Sequence, residues 1–198
     1  RVVNTRRAVM ECMEIALGDN YSDADLLVLH ASIGHDFKEM VQQAHEMAPH
    51  ARIVAASCCG VIGREGVSES MKDMALMAVQ GKEYAIASVA NINGKNSYEK
   101  ALEMAHSMKA QQPGINMIYF LGSGIDIAND LCIQGFEEVF GEGVTIFGAT
   151  SADNMRGVIS FQAVDQLVTE HGAYAIGFSD PSLTVDTQAT HGFVAVGE

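Results

Sequence analysis

Two stretches gather the side chains that could do chemistry. Ser57-Cys58-Cys59-Gly60 follows the apolar run Ile53-Val54-Ala55-Ala56, and Thr150-Ser151-Ala152-Asp153-Asn154 follows Ile146-Phe147-Gly148-Ala149. Each reads as a buried strand that runs into small hydroxyl, thiol, acidic or amide side chains. Ligands commonly bind where the strands of open α/β sheets end. Ser57, Cys58, Thr150, Ser151 and Asp153 are therefore expected to converge on one ligand pocket, with His30 or Arg156 at its edge. A carboxylate at Asp153 and a guanidinium at Arg156 would suit the ammonium and carboxylate of a zwitterion, the arginine bidentately. A polar turn is the alternative, because Gly157 follows directly.

Catalytic readings are weaker in the residue pattern. A nucleophile at Cys58 or Cys59 needs a lowered thiol pKa and a base, and no histidine lies nearby in sequence. Cys12, Cys58, Cys59 and Cys132 show no C-x-x-C or zinc spacing. The seven histidines include no His-x-x-x-His pair, so no helical metal site is expected. Haem needs only one axial histidine, so spacing leaves haem b open. Gly122-Ser123-Gly124 sits between a strand and a helix, as a dinucleotide loop would. Ile127 replaces the third glycine, and Asp126 would repel a pyrophosphate.

Composition bounds the partners. The 198 residues are 48% hydrophobic and 19% charged, enough apolar side chain for a sizeable core. The formal charge of −13 argues against nucleic acid and anionic membrane surfaces as partners. Free thiols on apolar helix faces suit a reducing, cytoplasmic compartment. The chain opens at Arg1 and closes at Glu198 in a glycine-punctuated stretch, as a piece of a longer protein would.

The elements that must position these residues follow from periodicity. Thr5 can cap a helix with Ala8, Cys12, Ile15 and Ala16 on its inner face. Leu26-Leu27-Val28-Leu29 reads as a strand covered on both faces. Phe37, Met40, Val41, Ala44 and Met47 form a helical stripe, and Ile53 to Ala56 the next strand. Strands are expected at Met74 to Val79 and Tyr84 to Val89, joined as a hairpin through Gln80-Gly81-Lys82. The order then restarts. Ser97 can cap a helix carrying Tyr98, Ala101, Leu102, Ala105 and Met108 on one face, and Ile115 to Leu121 is a strand. A helix follows with Ala128, Cys132, Phe136 and Val139 inward. Strands are expected at Ile146 to Ala149, Val158 to Val164, Tyr174 to Phe178 and Leu183 to Ala189. The pattern predicts an α/β fold with mixed β-sheets and outer helices. It is built from two pseudo-equivalent αβαβββ halves, about 1–93 and 94–190, with two sheets between helix layers and Gly34 equivalent to Gly124.

Further motifs carry a family resemblance. Ala55-Ala56-Ser57-Cys58-Cys59-Gly60-Val61-Ile62, followed by Gly66-Val67-Ser68, resembles a "G-C-S-T-A-G-E-I … G-V" signature. Gly148-Ala149-Thr150-Ser151-Ala152-Asp153 resembles "G-G-x-A-x-D". Gly172-Ala173-Tyr174-Ala175-Ile176 resembles "G-A-V-x-x", and His191-Gly192-Phe193-Val194-Ala195-Val196-Gly197 a closing "x-G-W-x-P-V-G". Together they resemble the amino-terminal half of the FIST domain, departing from it at Cys59 and Val61. The resemblance implies a cytoplasmic, bacterial, non-enzymatic sensory module for a small ligand such as an amino acid. It also implies an output partner such as a histidine kinase or diguanylate cyclase, and a carboxy-terminal half beyond this chain. Some members bind haem and report nitric oxide, which makes His191 and His35 the candidate haem ligands. A cysteine-dependent hydrolase or transferase remains as a third function class.

Overall fold

The computed structural model describes residues 3–64 and 66–186. Its first half runs α1 (Thr5–Leu17), β1 (Leu26–Ser32), α2 (Phe37–Met47), β2 (Arg52–Cys58), β3 (Val61–Gly63), β4 (Gly66–Ser68), β5 (Met74–Val79) and β6 (Tyr84–Val89). The second runs α3 (Ser97–Gln111), β7 (Met117–Gly122), α4 (Asn129–Phe140), β8 (Thr145–Thr150), β9 (Phe161–Val164), β10 (Leu167–Glu170) and β11 (Ala173–Phe178). The strands form a five-stranded sheet in the order β10-β9-β2-β1-β5 and a four-stranded sheet in the order β6-β11-β7-β8. β3 and β4 pair only with each other. The mixed α/β class and the two sheets between helix layers agree with the sequence pattern.

Alternation along β1 explains the layers. Leu27, Leu29 and Ala31 pack with Val9 and Met13 of α1 and with Phe37, Met40 and Val41 of α2. Leu26 and Val28 point the other way, into a core shared with Val54, Ile86, Leu121, Tyr174 and Ile176. A strand buried on both faces must be apolar throughout, which is why Leu26 to Leu29 shows no polar alternation. A third core sets α3 and α4 against the four-stranded sheet through Met104, Met108, Ile118, Cys132 and Phe136.

β1–α2–β2 and β7–α4–β8 share one topology, a parallel pair with a crossover helix. The strands that follow depart from the expected order. β5 flanks β1 in one sheet while β6 flanks β11 in the other, so Gln80-Gly81-Lys82 is a corner between sheets rather than a hairpin. Its turn is tied to the five-stranded sheet by Asp25, whose carboxylate accepts from the Gly81 N–H at 2.8 Å. β9 crosses in the opposite sense and pairs antiparallel with β2. The first half thus lends β6 to the four-stranded sheet, and the second lends β9 and β10 to the five-stranded one.

Other local readings need correction. α1 buries Thr5, Val9 and Met13, and Ile15 is exposed. The Thr5 hydroxyl fixes that rotation by accepting from the Asp36 N–H at 3.1 Å, and Asn4 supplies the N-cap. The strand expected from Val158 begins only at Phe161, and β10 is a strand that the pattern did not predict. Residues 183–186 carry no strand, and 187–189 lie outside the described residues. No described helix is long and apolar enough to cross a membrane.

Gly34 and Gly124, which follow β1 and β7, share a constraint. A Cβ on Gly34 would stand 2.1 Å from the Met71 carbonyl oxygen, and one on Gly124 would stand 1.9 Å from that of Ser151. Both contacts are with backbone, which cannot swing aside. Gly124→Ala is expected to lower stability by about 1–3 kcal/mol in urea denaturation, the usual scale of overpacking. Gly143→Ala, with nothing within 4 Å of the added methyl, serves as the control and should stay near the parent.

Candidate functional site

The two strand-end clusters do meet, and they meet through hydrogen bonds within the chain. The Ala152 N–H donates to the Ser57 carbonyl at 2.9 Å, and the Phe161 N–H donates to the Ser57 hydroxyl at 2.9 Å. Ser151 donates its hydroxyl to the Gly122 carbonyl at 3.1 Å and accepts from the side-chain amide of Gln162. That amide also donates to Ser160 at 3.0 Å, while its oxygen accepts from the Gly172 N–H at 2.6 Å. Ser160 in turn bonds Ser123 at 3.0 Å. Ser123 directs its one proton at the Ile125 carbonyl, so Ser160 is the donor of that pair. Ser57, Ser123, Ser151, Ser160 and Gln162 are all buried. Small polar residues at these strand ends join the two sheets to each other.

Asp153 is committed in the same way. One carboxylate oxygen accepts from the Arg156 and Gly157 N–H groups at 2.9 and 2.8 Å. The other accepts from Val158 and Ile159 at 2.7 and 3.1 Å. The side chain is 4% exposed. The backbone amides, Val158 foremost, hold the carboxyl at about 2, below its ordinary 3.8, against the opposing effect of burial. The Arg156 side chain is exposed and pairs with no described carboxylate, so the expected zwitterion grip is not assembled. Asn154 and Met155 take left-handed φ values of 55° and 65° inside this turn.

The remaining sequence candidates scatter. Thr150 is exposed on the edge strand β8 and lines an outer cavity of about 330 Å³ with Asn129, Ile133 and Phe147. Cys58 is half-buried, and that burial pushes its thiol up to about 11, the opposite of an activated nucleophile. His35 is buried with Nδ1 3.3 Å from the Thr5 hydroxyl and Nε2 3.0 Å from the Lys72 carbonyl. A haem iron at this ring would have to displace one of those partners. His191 lies outside the described residues.

His30 leads to a different place. It lines a cavity of about 320 Å³ between the two sheets, at the edge where β5 and β8 flank the opening. Val28, Ala75 and Met77 line one sheet's side, and Tyr119, Phe147 and Ile176 the other. Ile62 and Gly63 of the β3–β4 hairpin complete the lining. His30 Nε2 lies 3.1 Å from the Tyr119 hydroxyl. Burial lowers the His30 pKa from its ordinary 6.5, so the ring is neutral at pH 7. Behind Tyr119, the fully buried Tyr174 has its hydroxyl beside that of Tyr119 and no closer partner. Sequence reasoning missed Tyr119 and the hairpin. The available signal was polar atoms at His30 and Tyr119 inside two otherwise apolar strands, which require a partner when buried.

Asp153 yields a test with a definite sign. Its lowered pKa means that the unfolded chain binds the proton more tightly. The carboxylate therefore contributes stability that is full above pH 3.8 and lost as pH falls towards 2. Asp153→Asn replaces two accepting oxygens with one, so its melting temperature at pH 7 should fall below the parent's. The parent's further drop between pH 3.8 and about 2 should shrink in the variant, measured by circular dichroism across that range.

No curated protein matches the chain closely enough to count as a relative. The family model described as the FIST N domain matches residues 25–198. That span takes in both strand–helix–strand units, the inter-sheet cavity and the serine–glutamine network. The chain belongs to the FIST N domain family, a family of signal-transduction sensory domains.

Proposed function

We propose that this chain is the ligand-binding part of a cytoplasmic signalling protein. It takes a small molecule into the cavity between its sheets and passes occupancy to an attached or partner output domain, such as a histidine kinase or diguanylate cyclase. The observation that supports this reading is the inter-sheet cavity beneath a hairpin paired with neither sheet. A hairpin held only by its own ladder can shift on ligand entry without breaking a sheet hydrogen bond. It also carries the apolar Val67, 74% exposed, where a partner domain could read its position.

The reading is non-enzymatic. Supporting it, Cys58, one of the two thiols suggested as a nucleophile, is pushed away from ionisation. With a pKa of about 11, roughly one Cys58 in ten thousand is a thiolate at pH 7. Iodoacetamide at pH 7 should therefore label Cys58 more slowly than a free cysteine, followed by mass spectrometry against a Cys58→Ser control. Labelling faster than free cysteine would overturn the non-enzymatic reading.

Ligand binding itself is tested with a thermal-shift screen of amino acids and small uncharged metabolites. A compound that binds only the folded state raises the melting temperature in proportion to the logarithm of its concentration once above Kd. The same compound should slow hydrogen exchange in Val61–Gly63 and Gly66–Ser68. A screen without any shift, or a shift that leaves hairpin exchange unchanged, counts against a sensing hairpin.

A further inference from the structure

We propose that the inter-sheet cavity selects an uncharged, mainly apolar molecule with a single hydrogen-bonding group, seated against His30 and Tyr119. The inference rests on the sensory reading above and narrows its ligand. Among the described residues, the cavity lining contains no aspartate, glutamate, lysine or arginine. His30 and Tyr119 are its two side chains able to hydrogen-bond strongly, and they lie 3.1 Å apart. A free amino acid would bring an ammonium and a carboxylate into this space. Neither would find an opposite charge, and a buried unpaired charge is strongly disfavoured.

Among the described lining residues, the polar pair is the one strongly hydrogen-bonding corner. One hydrogen atom joins the His30 Nε2 to the Tyr119 oxygen. The hydroxyl oxygen retains capacity for one further partner from the cavity side. A ligand hydroxyl or carbonyl placed here would be used, whereas the walls of Val28, Met77, Phe147, Ile176 and Phe178 offer only dispersion and apolar contact. At about 320 Å³ the cavity sits at the small end of ligand sites, the size for a one- or two-ring molecule rather than a nucleotide.

The probe is 2-naphthol, neutral at pH 7 and fluorescent, compared with naphthalene and with leucine. The wild-type chain should bind 2-naphthol and not leucine. Tyr119→Phe should weaken 2-naphthol about tenfold and leave naphthalene within about twofold, the scale of one lost hydrogen bond. Ala75→Phe fills the cavity from β5, and Met77→Trp blocks it from its half-exposed rim; each should weaken both aromatic probes by about tenfold or more. The rim variant serves if the interior one fails to fold by circular dichroism. Naphthol affinity untouched by the blocking variants overturns the proposal. Leucine binding that those variants abolish also overturns it, while leaving the sensory reading intact. Failure of the wild type to bind either aromatic probe overturns it as well, and the metabolite screen then decides the sensory reading separately.

Discussion

The carboxamide of Gln162 holds the two sheets in register at their strand ends. It sits on β9 in the five-stranded sheet, yet its partners are Ser151 and Gly172, which flank β8 and β11 of the four-stranded sheet, and Ser160 beside it. Burying a primary amide without partners is costly, so the network is stable only when both sheets are in place. Its demands explain the small hydroxyl residues around it. Ser123, Ser151 and Ser160 each supply one donor and accept at close range, and larger side chains would hold the strand ends apart.

Closure at one end of the sandwich has a counterpart at the other edge. Apolar side chains fill the middle of the inter-sheet core, from Val54 to Tyr174. Towards β5 and β8 the filling stops, and His30, Tyr119 and Phe147 surround space instead. Tyr119 touches both regimes, with its ring 5.4 Å from Phe147 and 6.3 Å from Tyr174 between centroids. The polar strand ends thus confer rigidity, and the apolar edge supplies the volume. That division is the reverse of what the residue types suggest on their own.

The sequence was most legible where burial on both faces leaves an unbroken apolar run. β1, β2, β7 and β8 and their crossover helices could be placed from Leu26 to Leu29, Ile53 to Ala56 and their later counterparts. Legibility failed where one pattern has two structural solutions. A short turn at Gln80-Gly81-Lys82 serves a hairpin or a corner between sheets, and only the partner strands decide. Gln162 alternates with apolar neighbours as a solvent-facing residue would, so its bridging position was invisible. Ser57, Ser151 and Asp153 were expected to face a ligand, but hydroxyls and carboxylates satisfied by the backbone look the same in sequence as those awaiting one. His30 was named for its place at a strand end. Its partner Tyr119 was passed over because tyrosine in a strand reads as ordinary packing.

The exchange of strands between halves bears on how the chain is made. When the chain has left the ribosome as far as Val89, β1, β2 and β5 can pair. The outer edge of β2 still lacks β9, and β6 has no neighbour until β11 arrives. An unpaired apolar edge is the usual starting point for association between nascent chains. Synthesis must therefore run past Glu170 before the five-stranded sheet is complete and past Phe178 before the four-stranded one is, so strand edges of the early half stay open while most of the later half is made.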